Sequence, residues 1–358
     1  MTKVLVACAS YPFEGSTDMK FDHERNLCYV RKGIEVDVLN FSSKEKYLYE
    51  GINVFPLDYI KNNISKYSDY VLLCHAPNIR NHYLFLKKYK EAFKNIIFFF
   101  HGHEIVKISE AYPPDYSFRN NTFLKKIIQN TYDKLKLCIW NNYFTKNDTN
   151  SRLVFVSDSL KKDFCKFVKI SLEIVEKRSS IINNCAGSFF CTNKYNMKTE
   201  KKYDYITIRD NLDSSVYCID LIVQNALLNQ DKKYLIIGKG RYFDYYDKPK
   251  NITLIGKTMN HEKLATYINI SKCALMPTRR DSQGVMVSEL ATFGIPVITS
   301  NLDVCKEMFS DFGNVFFLDE NQIINLDKEL TFSKRMDNNE KFFEKNTIDK
   351  EIKLIREL

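Results

Sequence analysis

The residues with the clearest chemical potential lie between Pro277 and Ser300, in the stretch PTRRDSQGVMVSELATFGIPVITS. Arg279 and Arg280 stand beside Asp281, and Glu289 follows on the next predicted helix. A polar turn, Thr278 to Gly284, leads into the apolar-rich segment Val285–Phe293, so that helix begins just after Gly284. A helix start presents unpaired backbone N–H groups and the positive end of its dipole, which favours anions and above all phosphates. Arg279 and Arg280 add fixed positive charge, and Asp281 and Glu289 add acceptors for sugar hydroxyls. The bland alternatives are that Asp281 only caps the helix and that Glu289 sits on a solvated face.

A second group of polar residues lies in the first half of the chain. His75 ends the apolar run Tyr70–Cys74, and His101, His103 and Glu104 follow the wholly apolar run Ile96–Phe100. Strands that apolar are central and parallel, and ligands bind outside their carboxyl ends. The H-x-H-E order lacks the i, i+4 helical spacing of a metallohydrolase, so no metal is expected. His75 reads as structural, and His261 as the start of a helix. Gly238-Lys239-Gly240 ends the run Tyr234–Ile237, where a G-x-G implies only a tight turn or a close approach.

The elements needed to hold these groups are legible as alternating strands and helices. Lys3–Ser10, Ile34–Leu39, Tyr70–Cys74, Ile96–Phe100 and Leu153–Val156 read as strands of one half, and Ser157 reads as a helix cap. Tyr205–Ile208, Tyr234–Ile237, Ile252–Ile255, Cys273–Met276, Val297–Thr299 and Asn314–Leu318 read as strands of a second half. Gly294 is the expected stop of the helix Val285–Phe293, since glycine accepts the left-handed C-cap conformation. The first loop carries Gly15 alone, so the dinucleotide fingerprint G-x-G-x-x-G is missing and a nicotinamide cofactor is not expected. The pattern is α/β: two Rossmann-like domains facing a central cleft. The expected boundaries are 1–195, 196–340 and a terminal amphipathic helix, 341–358, packing back on the N-terminal domain. The polar stretch Thr192–Lys202 is the linker candidate.

Bulk properties narrow the class. At 358 residues the chain exceeds one usual core. The net charge of +9 is moderate and dispersed, so no nucleic-acid partner is expected. Ten cysteines without a C-x-x-C pair, after an N-terminus without signal-peptide layout, read as free thiols in a reducing cytoplasm. No apolar run reaches the about 20 residues of a spanning helix. The predicted helix Phe123–Phe144 carries an apolar stripe of Phe123, Leu124, Ile127, Ile128, Leu135 and Ile139, flanked by Lys125, Lys126, Lys134 and Lys136. It is either an interfacial helix on anionic lipid, peripheral on the inner membrane surface, or a helix packed on the sheet with solvated lysines. The packed reading is preferred.

With these residues in place the sequence resembles the GT-B retaining glycosyltransferases, the group 1 or family 4-like enzymes that use nucleotide-sugar donors. Their signature is an acid, seven residues, then Glu, which stands here as Asp281-x7-Glu289, with Gly284, Gly294 and Pro296 also matching. Weaker matches are Ser157, Asn184, Arg209, Asp220 and the pair Gly238/Gly240, so the resemblance spans essentially the whole chain. It implies that Glu289 accepts hydrogen bonds from the ribose, that Asp281 contacts the donor sugar, and that N–H groups from Gln283 through Gly284 to Val285 meet sugar and phosphate. Arg209 would bind the diphosphate and His101 would lie near the reacting sugar. Gly238, Lys239 and Gly240 would belong to the donor side, and Gly15, His103 and Glu104 to the acceptor side.

Two departures stand out. The lysine that usually follows the family's arginine is absent, with Ser214 and Ser215 in its region, which leaves Arg279, Arg280 and Lys239 as candidates for that charge. Cys185 replaces the turn glycine after Asn184. No D-x-D triplet is present, which favours metal-free transfer, with no cofactor and the nucleotide sugar as substrate. The function implied is retaining transfer from a UDP-sugar to a glycan or lipid-linked glycan acceptor, in the synthesis of a bacterial surface polysaccharide such as capsule or lipopolysaccharide. The alternatives are a sugar-nucleotide epimerase or hydrolase of related fold, and a non-catalytic nucleotide-binding partner of another transferase.

Overall fold

The computed structural model describes residues 2–13, 20–119, 123–146, 151–326 and 339–358. Gly15 lies outside them. The chain divides into two compact units, 1–107 with 130–183 and 347–358, and 108–129 with 184–346.

Among the described residues the first unit is built on eight strands: β1 (Lys3–Cys8), β2 (Glu35–Asn40), β3 (Tyr47–Tyr49), β4 (Ile52–Pro56), β5 (Val71–His75), β6 (Asn95–Phe100), β7 (Ser151–Phe155) and β8 (Ser179–Ile181). Their order is β3-β4-β2-β1-β5-β6-β7-β8, parallel throughout except for the β3–β4 pair. β5 and β6 lie inside the sheet and are buried almost end to end, which is why their sequences are apolar on both faces. Aromatic side chains fill the layer behind them. Phe98 meets Phe144 edge-on at 5.0 Å, and Phe100 stacks on Phe155 at 5.1 Å. Trp140 and Phe144, fully buried, come from the C-terminal half of the helix Phe123–Lys146.

That helix packs on the sheet as the preferred sequence reading expects, with Lys125, Lys126 and Lys134 exposed, but not through the expected stripe. Phe123, Leu124, Ile127, Ile128 and Leu135 are exposed. The packing is done instead by Trp140, Tyr143 and Phe144, one stretch further along. Lys136, grouped by sequence with the surface lysines, is buried. It pairs with Asp133 at 2.9 Å and donates to the carbonyls of His103 and Val106.

The terminal helix begins at Ile348, after a short turn, and runs to Arg356. Glu351 on it is buried against the helix Lys20–Arg31, where it accepts from Tyr29 Oη at 2.5 Å and pairs with Arg25 Nε at 3.2 Å. Removing one partner of a buried ion pair strands the other charge. Glu351→Ala is therefore expected to lower stability by about 3 kcal/mol in urea unfolding followed by circular dichroism, whereas Lys353→Ala, on the exposed face, should leave the midpoint in place.

Among the described residues the second unit has six strands, all parallel: β9 (Tyr203–Asn211), β10 (Tyr234–Lys239), β11 (Ile252–Ile255), β12 (Ser271–Met276), β13 (Val297–Ser300) and β14 (Val315–Leu318). Their order is β11-β10-β9-β12-β13-β14. The helix Val285–Phe293 follows β12 and is buried from Val287 onward, with Leu290 and Phe293 in the core beside Ile206, Ile208 and Met276. Gly294 ends it in the left-handed conformation at φ 96°. The stretch 192–202 is tied into this unit by Tyr195, whose hydroxyl donates to the Ser271 carbonyl at 2.6 Å and whose N–H donates to the Phe293 carbonyl. The change of unit falls between Asn183 and Asn184.

Candidate active site

In the second unit the candidate residues gather at the carboxyl ends of β9, β10 and β12. Arg209, near the end of β9, is buried at 7% exposure. Its Nη2 donates to the Pro277 carbonyl at 2.6 Å, and its guanidinium lies 4.8 Å from the Tyr217 ring centre. Its Nε has no hydrogen-bond partner among the described residues. Burial pulls its pKa down, while the Asp281 carboxylate is the largest influence pulling it back up. A buried guanidinium with an unused donor is a group whose natural complement is an anion.

Gly238 explains why β10 can run beside it. A Cβ there would sit 2.0 Å from the Arg209 carbonyl oxygen, at the irregularity where the β9–β10 register shifts. The first glycine of the G-x-G is thus required by strand packing. Lys239 is exposed at this edge, with its carbonyl accepting from Leu212 at 2.7 Å.

The loop from Pro277 to Gly284 is held by its own polar groups. Asp281 accepts from the N–H of Ser282 at 2.8 Å and of Gln283 at 3.1 Å. Burial raises its carboxyl, and these two amides, with that of Gly284 and the charge of Arg209, oppose the rise. The Gln283 side chain is wholly engaged: Oε1 accepts from the Asn184 N–H at 2.6 Å and Nε2 donates to the Asn184 carbonyl at 2.9 Å. Arg279 is likewise committed. It donates to Asp220 at 2.8 and 3.0 Å, to Glu320 at 2.7 Å and to the Ser215 carbonyl at 3.0 Å. Asp220 also accepts from Tyr116 at 2.8 Å. Arg279 therefore ties three segments of this unit together, while Arg280 lies 5.3 Å from the Tyr112 ring centre.

Glu289 is buried at 5% exposure. Its Oε1 accepts from the Gly187 N–H at 3.2 Å and faces His261 Nε2 at 3.5 Å. Burial lifts its carboxyl to about 7, with the Gly187 amide pulling the other way. His261, read from sequence as a helix start, does begin the helix His261–Asn269, and it also sits on this carboxylate. The sequence offered no signal for that pairing, nor for Gly187.

In the first unit, Glu104 is buried and bonds the backbone turn itself, accepting from the N–H groups of His101 and Gly102. His103 is exposed, with Nδ1 3.6 Å from Glu104. His101 lies 3.4 Å from His75 Nδ1. Burial, then Arg25 and His103, push its pKa down to about 3, so its imidazole is neutral at ordinary pH. Asp22, His75 and His101 each bring one ligand atom within 4.8 Å of one another. Arg25 Nη1, however, lies 3.3 Å from His75 Nδ1 and 3.5 Å from Asp22 Oδ1. A guanidinium already supplies the positive charge that this cluster would ask of a cation.

A family model described as glycosyl transferases group 1 matches residues 207–349, the stretch that carries Arg209, Asp281 and Glu289. Over these residues the chain is similar to that family. An O-antigen biosynthesis glycosyltransferase of Escherichia coli, WclY, is 29% identical over 100 residues, 25% of this chain and about a quarter (27%) of that relative. Among solved structures, a glycosyltransferase from Rickettsia africae superposes with a TM-score of 0.70 at 13% identity, over 99% of this chain and 98% of the other. HepE of Anabaena, in complex with UDP and glucose, superposes with a TM-score of 0.68 at 10% identity over the full length of both. At such identities the likeness is one of fold, and that fold is GT-B.

Proposed function

We propose that this protein is a retaining, metal-independent glycosyltransferase that moves a sugar from a UDP-sugar to a glycan or lipid-linked glycan acceptor in surface polysaccharide synthesis. The observation that carries the reading is Arg209, a buried guanidinium with an unused donor, bonded to the Pro277 carbonyl and set beside Asp281. A nucleotide diphosphate needs no strong acid to leave. It needs fixed positive charge where negative charge develops. Arg209 supplies that charge, and Arg279, Arg280 and Lys239 are the candidate cations for the role of the missing lysine, Arg279 being bonded to Asp220 and Glu320. Glu289 receives the ribose hydroxyls and Asp281 the donor sugar. His101 acts as a neutral hydrogen-bonding imidazole at the reacting sugar, with Glu104 setting its turn. The UDP donor is supported by the UDP and glucose bound in HepE, and the polysaccharide setting by the role of WclY in O-antigen synthesis.

The test is a panel of nucleotide sugars assayed for UDP release with and without glycan acceptors. Acceptor-dependent release with retained anomeric configuration, insensitive to chelator, is expected. Release without any acceptor would instead mark a hydrolase, and binding of UDP without turnover a non-catalytic partner.

The exposed face of Phe123, Leu124, Ile127 and Ile128, with Lys125, Lys126 and Lys134, supports a peripheral place on an anionic membrane surface. No described helix is long and apolar enough to cross a membrane. Flotation with vesicles containing phosphatidylglycerol is expected, and replacing Phe123, Leu124 and Ile128 by Ser should abolish it. Unchanged flotation would remove the membrane contact.

A further inference from the structure

Two thiols converge on the Ala186 carbonyl, next to the Gly187 N–H that holds Glu289. Cys185 Sγ donates to the Ala186 carbonyl at 3.0 Å, and Cys191 Sγ approaches the same oxygen at 3.6 Å. Both side chains are half-buried, so small oxidants reach them. Cys185 also lies close to Cys191 and lowers its thiol from the ordinary value, against the effect of burial. Cys8 and Cys74 are neighbours too, but both are buried and burial pushes their thiols up, which leaves them inert.

The backbone between the two cysteines has no slack. The Ala186 N–H donates to the Phe342 carbonyl, and the Gly187 N–H is the one that holds Glu289. A Cβ on Gly187 would lie 2.5 Å from His261 and 3.1 Å from Glu289 Oε1. Closing a sulfur–sulfur bond of about 2.05 Å would withdraw both S–H donors from the Ala186 carbonyl and shift this segment. In so tight a contact the shift reaches Glu289.

We propose that Cys185 and Cys191 are an oxidisable dithiol, converted by peroxide to a disulfide that weakens nucleotide binding at Glu289. The binding half of this statement rests on the function proposed above. Cys191 loses its proton and its thiolate attacks one peroxide oxygen. The O–O bond breaks, and the departing hydroxide takes a proton to become water. Cys185 then attacks the sulfenic sulfur, the S–S bond forms, and the S–O bond breaks with release of a second water. Two thiols are oxidised and one peroxide is reduced to two waters.

The experiment treats the full-length native protein with hydrogen peroxide, alkylates the remaining thiols and maps peptides by mass. A peptide linking Cys185 to Cys191 is expected, absent in C185S and in C191S and reversed by dithiothreitol. UDP titration of the same samples should show about tenfold weaker binding when oxidised, and equal binding in both states for the C185S/C191S variant. Both cysteines remaining alkylatable after peroxide would overturn the proposal, as would a linked protein with unchanged UDP affinity. A reduced protein that binds no UDP would overturn the nucleotide reading and the coupling with it, while the disulfide result stands alone.

Discussion

Arg209→Ala is expected to lower kcat/KM for the nucleotide sugar by roughly a thousandfold, mostly through kcat. Charge builds on the diphosphate as the sugar leaves, so a cation placed there stabilises the transition state more than the ground state. Removal of a single fixed donor to a developing anion costs on the order of 10²–10³ in rate. Arg209 is 7% exposed, so little water stands between it and a bound anion to screen it. Tyr217 beneath the guanidinium and the Pro277 carbonyl at Nη2 fix its orientation in advance. Arg209→Lys keeps a charge but loses the planar fork, so it should recover only part of the rate. Since Arg209 also bonds Pro277, thermal melting must accompany the kinetics. A well-folded R209A protein with wild-type kcat/KM would remove Arg209 from the site, and R280A would then be the variant to examine.

What the sequence disclosed follows from how local each signal is. The helix Val285–Phe293 was legible because Gly284 and Gly294 bracket an apolar run, and both glycines adopt left-handed φ values of 75° and 96°. The buried strands β5 and β6 were legible because both faces are apolar. Partners distant in sequence were not. Nothing in the spacing shows that Arg279 rather than Arg280 is spent on Asp220 and Glu320, since successive residues of a turn differ only in direction. Nor could Gln283 be recognised as the clamp on Asn184, ninety-nine positions away. The buried group of Asp22, Arg25, His75 and Glu351 joins the helix Lys20–Arg31, the end of β5 and the terminal helix. Of these only His75 carried a local cue, its place at a strand end. The packing residues of the helix Phe123–Lys146 were missed because aliphatic periodicity drew attention to its first turns, while the aromatic residues that bury lie in its last ones.

Nucleotide affinity is expected to rise with pH through about 7, and Glu289→Gln is expected to flatten that dependence while lowering kcat/KM by roughly a hundredfold. The carboxyl of Glu289 is lifted to about 7 by burial, with one amide from Gly187 opposing. Below that pH it is a neutral acid with a single good acceptor oxygen, whereas above it the carboxylate accepts from two vicinal hydroxyls at once. A hydrogen bond to a charged acceptor contributes about 1.5–3 kcal/mol, which sets the size of the kinetic loss. The sign for folding is the reverse. The folded pKa lies above the unfolded value of about 4.3, so the stability tied to this proton is complete below that pH and is lost as pH rises through about 7. Glu289→Gln carries no such proton and should be relatively more stable than wild type at pH 8 than at pH 5, even as it binds nucleotide less well. A carboxylate that only served the fold would lose stability and binding together on substitution. UDP titrations and urea midpoints, each taken at pH 5 and pH 8 on both proteins, separate the two cases, because opposite shifts in stability and affinity at pH 8 fit only a buried group kept for a ligand.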